Sequence, residues 1–259
     1  MTAQTLRDPA DIPRITFETD AGEVALAVYD QLLTLLQTLA PPEWDARTDC
    51  PAWTVADMVG HLLGAARANA SLRETIRQQV WALRHKGEFD GNDLDAMNAL
   101  QVREHSALSA HERIETLRAL APKAVAGRRR FPRLLRRVQV PLATTGSAAA
   151  GMPQSLRLGH LMDVIYTRDV WLHRVDIARA TGRSLALDPV VDGRVVEDVT
   201  AEWAQRHGQP FTLLLTGPAG GAFRRGTGGP TIEMDAVEFC RTLSGRVPGE
   251  GLLQVGVLF

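Results

Sequence analysis

The amino-acid sequence predicts a mainly α protein in two parts: an antiparallel four-helix bundle over residues 1–182 and a small α+β domain over residues 183–259. Three observations carry this reading. Apolar residues recur at i, i+3, i+4 and i+7 through most of the chain up to Gly182, the spacing of helices with one buried stripe. Prolines, glycines and small residues interrupt those runs often enough to provide short bundle connections. After Gly182 the pattern changes to short apolar runs punctuated by glycines, as in hairpin strands.

Residues 1–20 read as an extended arm. From Ala21 to Leu39 the side chains Val24, Val28, Leu32, Leu35, Leu36 and Leu39 form one helical stripe, which Pro41-Pro42 ends. Thr54 is an N-cap, and Asp57 three positions later supplies the carboxylate of a capping box rather than a ligand. The helix that follows carries His61 and is expected to continue to His85. Gly87 to Asp93 is a break, after which DLDAMNALQVREHSAL and HERIETLRALAPKAVAG are helical, the second interrupted at Pro122. Pro141 to Pro153 is small and loop-like. A long helix is expected from Ser155 to Ala180, closed by Gly182 as its C-terminal cap. The second part should hold a helix across DPVVDGRVVEDVTAEWAQRHG, strands in PFTLLLTGPAGG, AFRRGTGG and PTIEM, a short helix in AVEFCRTLSGR and a last strand in LLQVGVLF.

Hydrophobic residues make up 45% and charged residues 23% of the chain, ordinary for a soluble globular protein. The net charge of −1 excludes a surface built throughout to grip nucleic acid. Cys50 and Cys240 stand in unrelated contexts, so neither a disulfide framework nor a cysteine metal site is indicated, and each reads as a small buried hydrophobe. No apolar run approaches the ~20 residues of a membrane span. The N-terminal stretch is polar and contains acids, unlike a secretory signal. A cytoplasmic protein without a membrane partner is the expectation.

The chemistry concentrates in two helical segments. On a helix, residues four apart differ by ~40° of rotation, so Asp169 and His173 share a face. Tyr166 and Asp176 lie near the same stripe, whereas His160 falls on the opposite side. A fold that brings His61 to that face would gather two imidazoles and one carboxylate, three ligands that leave coordination positions open. Gly64 and Ala65 share the His61 face and would leave room for a metal or substrate. By spacing alone an Asp–His pair is equally an ordinary hydrogen-bonded pair, and a lone helical His a core residue. His85, His105, His111 and His207 sit in polar surroundings and are expected to face solvent.

CPAWTVADMVGHLLG, from Cys50, followed about a hundred residues on by RDVWLHRVDIARATGR, from Arg168, resembles the mycothiol-dependent maleylpyruvate isomerase-like family, part of the DinB-like metalloprotein superfamily. TLSGR, Thr242 to Arg246, resembles that family's sterol-carrier-like second domain. The resemblance implies a DinB-like antiparallel four-helix bundle and places the metal ligands at His61, Asp169 and His173. The acid, commonly Glu in the family, is Asp here, one methylene shorter, so the metal would sit nearer the helix backbone. It implies a divalent metal, Zn2+ in first place, with nickel, iron or manganese compatible with the same ligand types. It also implies mycothiol or a similar thiol, whose thiolate attacks a small electrophilic substrate to isomerise it or to be transferred to it. Asp176 and Arg241 are candidate catalytic groups. Asn98, Arg174, Arg224 and Arg225 are candidate cofactor-binding groups, Arg174 because it lies within one turn of His173, and Arg224 and Arg225, like Arg241, by the bidentate match of guanidinium to carboxylate.

A rival feature is RRRFPRLLRR, Arg128 to Arg137, an arginine-rich run with no acids that could serve a nucleic-acid or acidic-partner binding module. Few aromatics lie nearby, Pro132 interrupts any long recognition helix, and the whole chain is near neutral, so a solvated helix face is the plainer reading. A third possibility is a non-catalytic metal-containing binding protein whose C-terminal part carries an apolar ligand.

Overall fold

Thr54 opens the helix that the sequence marks most clearly, and the computed structural model, which describes residues 5–142 and 152–259, forms it as expected. The chain divides into two compact units. One comprises Ala25–Ala143 and Ser155–Leu185, and the other Met1–Val24, Thr144–Gln154 and Ala186–Phe259. Residues 5–24, grouped by sequence with the bundle, thus fall in the unit that holds the C-terminal part. Most of the loop read between Pro141 and Pro153 lies outside the described residues.

The bundle is built from α1 (Ala21–Leu36), α2 (Val55–Ala70), α3 (Leu72–His85), α4 (Asp93–Glu104) and α5 (Ala110–Arg129). Val28, Leu32 and Leu36 of the α1 stripe are buried. The single helix expected from Val55 to His85 is two helices. Ser71 adopts an extended conformation (φ −145°, ψ 117°), ends α2, and caps α3 by accepting from Glu74 N. Pro122 does not interrupt α5; it lies inside the helix on an exposed face, where water can serve the carbonyl it leaves unpaired. At Gly127 a Cβ would stand 2.0 Å from the Asn69 carbonyl oxygen, so α5 and α2 meet backbone to backbone.

The helix expected from Ser155 starts later. Ser155–Arg157 is a strand, β2, paired antiparallel with β1 (Gln139–Pro141). One helical turn, α6 (Leu158–His160), then leads through a π-helical turn, Leu161–Ile165, into α7 (Tyr166–Ala180). Gly182 at φ +63° closes α7, with Arg183 N donating to Ala178 O at 2.9 Å, as the C-cap reading requires.

In the other unit α8 (Val191–His207) accompanies a sheet of order β4–β3–β5. The central β3 (Phe211–Thr216) pairs antiparallel with β4 (Gly221–Arg225) and parallel with β5 (Thr231–Asp235), which runs into α9 (Ala236–Leu243). The β4–β5 connection crosses the start of β3 at Gly229, where a Cβ would lie 1.9 Å from Pro210 O. Trp203 is buried against Phe211 and Phe239 and donates from Nε1 to Leu252 O at 3.0 Å. The N-terminal arm is bound rather than loose. Arg7 exchanges backbone hydrogen bonds with Ala222 and Arg224, and Arg14 and the Ile15 N–H both engage the buried Asp198. LLQVGVLF does not form the expected strand: Gly251–Gln254 closes a 3-10 turn, and Val257 N beyond it donates to Leu243 O at 2.9 Å. Among the described residues no helix is long and apolar enough to cross a membrane.

Candidate metal centre

The Thr54–Asp57 capping box sets the phase of α2. Thr54 Oγ1 accepts from Asp57 N at 3.2 Å, and Asp57 Oδ2 accepts from Thr54 N at 3.0 Å. His61 then falls on the buried side, 8% exposed. Asp169 and His173, one turn apart on α7, meet it there. Asp169 Oδ2 is 3.5 Å from His61 Nε2, and Asp169 Oδ1 is 3.3 Å from His173 Nε2. One donor atom from each residue lies within 4.8 Å of the other two. Ligands bound at ~2.0–2.1 Å around a tetrahedral ion are separated by roughly 3.3 Å, so these spacings fit the edges of such a shell.

The other ring nitrogens are held from behind. His173 Nδ1 donates to Asp176 Oδ2 at 3.0 Å, and His61 Nδ1 donates to Gln101 Oε1 at 2.8 Å. Because both partners are acceptors, each Nδ1 carries a proton and each Nε2 turns toward Asp169. Gln101 is fixed in turn by donating from Nε2 to Gln78 Oε1 at 2.8 Å. Gln78 donates to Gly64 O at 3.0 Å and to Glu74 Oε1 at 2.9 Å. Trp53 covers the imidazoles, its ring centroid 5.0 Å from that of His61 and 6.0 Å from that of His173.

The electrostatics match a cation site. Burial alone would raise the Asp169 pKa, but the His173 and His61 imidazoles outweigh it and hold the carboxyl far below its usual range. Burial alone would lower the His173 pKa, yet the Asp169 and Asp176 carboxylates push it up to about 9. Without a metal, the cluster therefore retains a proton that an ion would displace.

Asp176, fully buried, orients His173. Asn98 is half-buried one turn before Gln101, and it is Gln101 that reaches His61. The space expected beside Gly64 is filled, since a Cβ there would lie 2.4 Å from Gln101 Cγ. Arg174 is buried and donates to Gln31 of α1. Arg224, Arg225 and Arg241 belong to the other unit. Arg224 is exposed, Arg225 donates to Ala204 O, and Arg241 pairs with Glu238 at 2.7 Å. Cys50 is half-buried, and it too forms a possible metal-holding group with His173 and Asp176, contrary to its reading as a small buried hydrophobe. His105, expected in solvent, is 3% exposed beside Gly60, its Nδ1 on Gln101 O. The arginine run is not one solvated face. Arg129, Arg130, Arg133 and Arg137 are exposed, while Arg128 and Arg136 are buried, the latter paired with Asp163.

Sequence reasoning missed Gln101, Gln78 and Trp53. Gln101 and Gln78 lie among apolar helix positions, and that placement is the signal that could have marked them as partners of a buried polar group.

Bundle and donor set together define a helical protein with a two-histidine, one-carboxylate cluster. The chain belongs to the family of the mycothiol maleylpyruvate isomerase N-terminal domain, whose model matches residues 25–178. Its fold is also that of a solved mycothiol-dependent maleylpyruvate isomerase, with a TM-score of 0.55, 16% identity and 93% of each chain covered. A histidine-to-alanine mutant of such an isomerase matches with a TM-score of 0.54, 15% identity and 93% of each chain covered. No curated protein matches the sequence.

Proposed function

We propose that this protein is a metal-dependent enzyme that activates a low-molecular-weight thiol, mycothiol or a close equivalent, against a small electrophilic substrate. The observation that supports this best is the orientation of both imidazoles, Nδ1 tied down and Nε2 facing Asp169 at spacings that fit a coordination shell. His61, Asp169 and His173 would hold a divalent ion, Zn2+ by preference, and that ion would lower the pKa of a thiol at its open position so that thiolate is available at neutral pH.

The protein's own contribution is positional. Asp176 and Gln101 keep each imidazole in one tautomer and one orientation, and Trp53 covers both rings. Asp169 brings one negative charge, leaving an ion held here with net positive charge to stabilise a thiolate. The activated nucleophile serves two outcomes. It can add to an activated double bond, allow rotation and leave, or it can remain on the electrophile as a thioether. A cytoplasmic setting, where thiols stay reduced, suits both the cofactor and the two cysteine thiols.

The test is elemental analysis of the purified protein beside His173→Ala. About one ion per chain in the wild type, absent from a variant that keeps its helical circular dichroism, is the expected result. Full metal in the variant, or none in either protein after reconstitution, would refute the assignment.

A further inference from the structure

A second group of donor atoms shares one residue with the first. Cys50, His173 and Asp176 each place a ligand atom within 4.8 Å of the other two. Asp176 is fully buried, His173 is nearly so, and Cys50 is half-buried, so one side of the group opens toward water. The set joins a soft sulfur donor to an imidazole and a carboxylate, which suits zinc and softer thiophilic ions rather than magnesium or calcium. Three protein ligands leave a fourth position, and the open side lets water fill it.

Cys50 is held in place by contacts that need no ion. Thr48 Oγ1 accepts from Cys50 N at 3.2 Å and donates to Trp53 O at 3.0 Å, while Trp53 N donates to Cys50 O at 2.9 Å. The turn so closed ends at Thr54, the N-cap of α2. Asp49, the neighbour of Cys50, accepts from Arg179 Nε at 3.2 Å, and Arg179 lies one turn beyond Asp176 on α7. The turn is thus tied to the helix that carries the other two donors. An ion would meet ligands already placed, with little ordering left to oppose its binding.

We propose that Cys50, His173 and Asp176 form a second cation site, for a thiophilic divalent ion, that competes with the His61, Asp169 and His173 site for the shared imidazole. His173 Nδ1 faces Asp176 Oδ2 at 3.0 Å, whereas Nε2 faces Asp169 Oδ1 at 3.3 Å. A neutral imidazole offers only one lone pair. An ion bound by Cys50 and Asp176 takes Nδ1, leaves the proton on Nε2 and so withdraws a ligand from the first site. The second site does not depend on the thiol reading above; where that reading holds, an ion bound there inhibits the enzyme.

The experiment titrates cadmium(II) into the full chain, follows the thiolate-to-cadmium charge-transfer absorption, and counts bound ions by elemental analysis. Wild type should show the band. His61→Ala, which lacks only the first site, should keep it. Cys50→Ser should lose it while still binding zinc. Zinc and cadmium supplied together should total about one ion per wild-type chain, because the two sites share one lone pair. In wild type, cadmium should also shield Cys50 from alkylation by iodoacetamide, as read by peptide mapping. The proposal is overturned by a band that survives in Cys50→Ser, by its absence from wild type or from folded His61→Ala, by both ions bound together on one chain, or by alkylation of Cys50 that cadmium does not slow.

Discussion

Replacing Gly64 with alanine sets a local gain against a tertiary loss of opposite sign. Gly64 lies in α2 three residues after His61, and alanine in a helix interior is favoured over glycine by ~1 kcal/mol. Acting alone, that would raise the melting temperature by ~2–4 °C in a chain of this size. The added Cβ would, however, stand 2.4 Å from Gln101 Cγ, 2.5 Å from its Cβ and 3.1 Å from its Cα. These atoms are the near end of the side chain and its backbone, so a rotamer change cannot relieve the conflict and α4 must shift. Overpacking of this kind costs ~1–3 kcal/mol. Displacing Gln101 also removes the bond from His61 Nδ1 and its own bond to Gln78 Oε1, each worth ~1 kcal/mol net. The expected outcome is a net loss of ~2–4 kcal/mol in the metal-free protein. Metal affinity should fall by ~10–100-fold, because His61 loses the group that orients it. Thermal unfolding and competition with a chromophoric zinc chelator read the two quantities. A melting temperature that rises with metal affinity unchanged would refute the packing argument and leave only helix propensity.

Two further outcomes follow from the same geometry. Asp176→Asn keeps the side-chain volume but removes the charge behind His173, so metal affinity should fall by ~10-fold or more in chelator competition. In the metal-free variant an NMR titration should find the His173 pKa well below about 9; an unchanged value would deny Asp176 its role. The pH dependence has a definite sign. The raised His173 pKa gives metal-free protein a stabilisation that is complete below 6.5 and lost as pH rises through about 9. The depressed Asp169 pKa gives one that is complete above 3.8 and lost as pH falls through its lowered value. Metal must displace the His173 proton, so its apparent affinity should climb by up to ~10-fold per pH unit until about pH 9. A flat profile from pH 6 to 9 would show that His173 surrenders no proton on binding.

Much of this protein was legible in short stretches of chain. The Thr54–Asp57 box, the Gly182 cap and the Asp169–His173 spacing each depend on residues within one or two helical turns, where geometry is nearly fixed by the residues themselves. The misreadings have local competitors. Ser71 could continue a helix or cap one, and it caps. Pro122 could break α5, yet it stands on an exposed face that tolerates it. The final segment turns on itself at Gly251–Gln254 and then donates from Val257 N to Leu243 O instead of pairing as a strand.

By itself the sequence determined a helical protein with a small α+β part, two imidazoles and a carboxylate on helical faces, and the motifs that mark the family. Only the tertiary structure decided which groups stand behind those side chains and what the arginines do. Gln101 is 40 residues from His61, and Arg128 is 39 residues from Thr167 and 99 from Tyr29. Such pairings depend on how closely two helices approach, which at Gly64 and Gly127 is set by a missing Cβ against a neighbouring helix. A burial pattern along one helix says which residues turn inward. It carries no information about which residue of another helix they will meet, because that depends on the depth and angle of the packing between them.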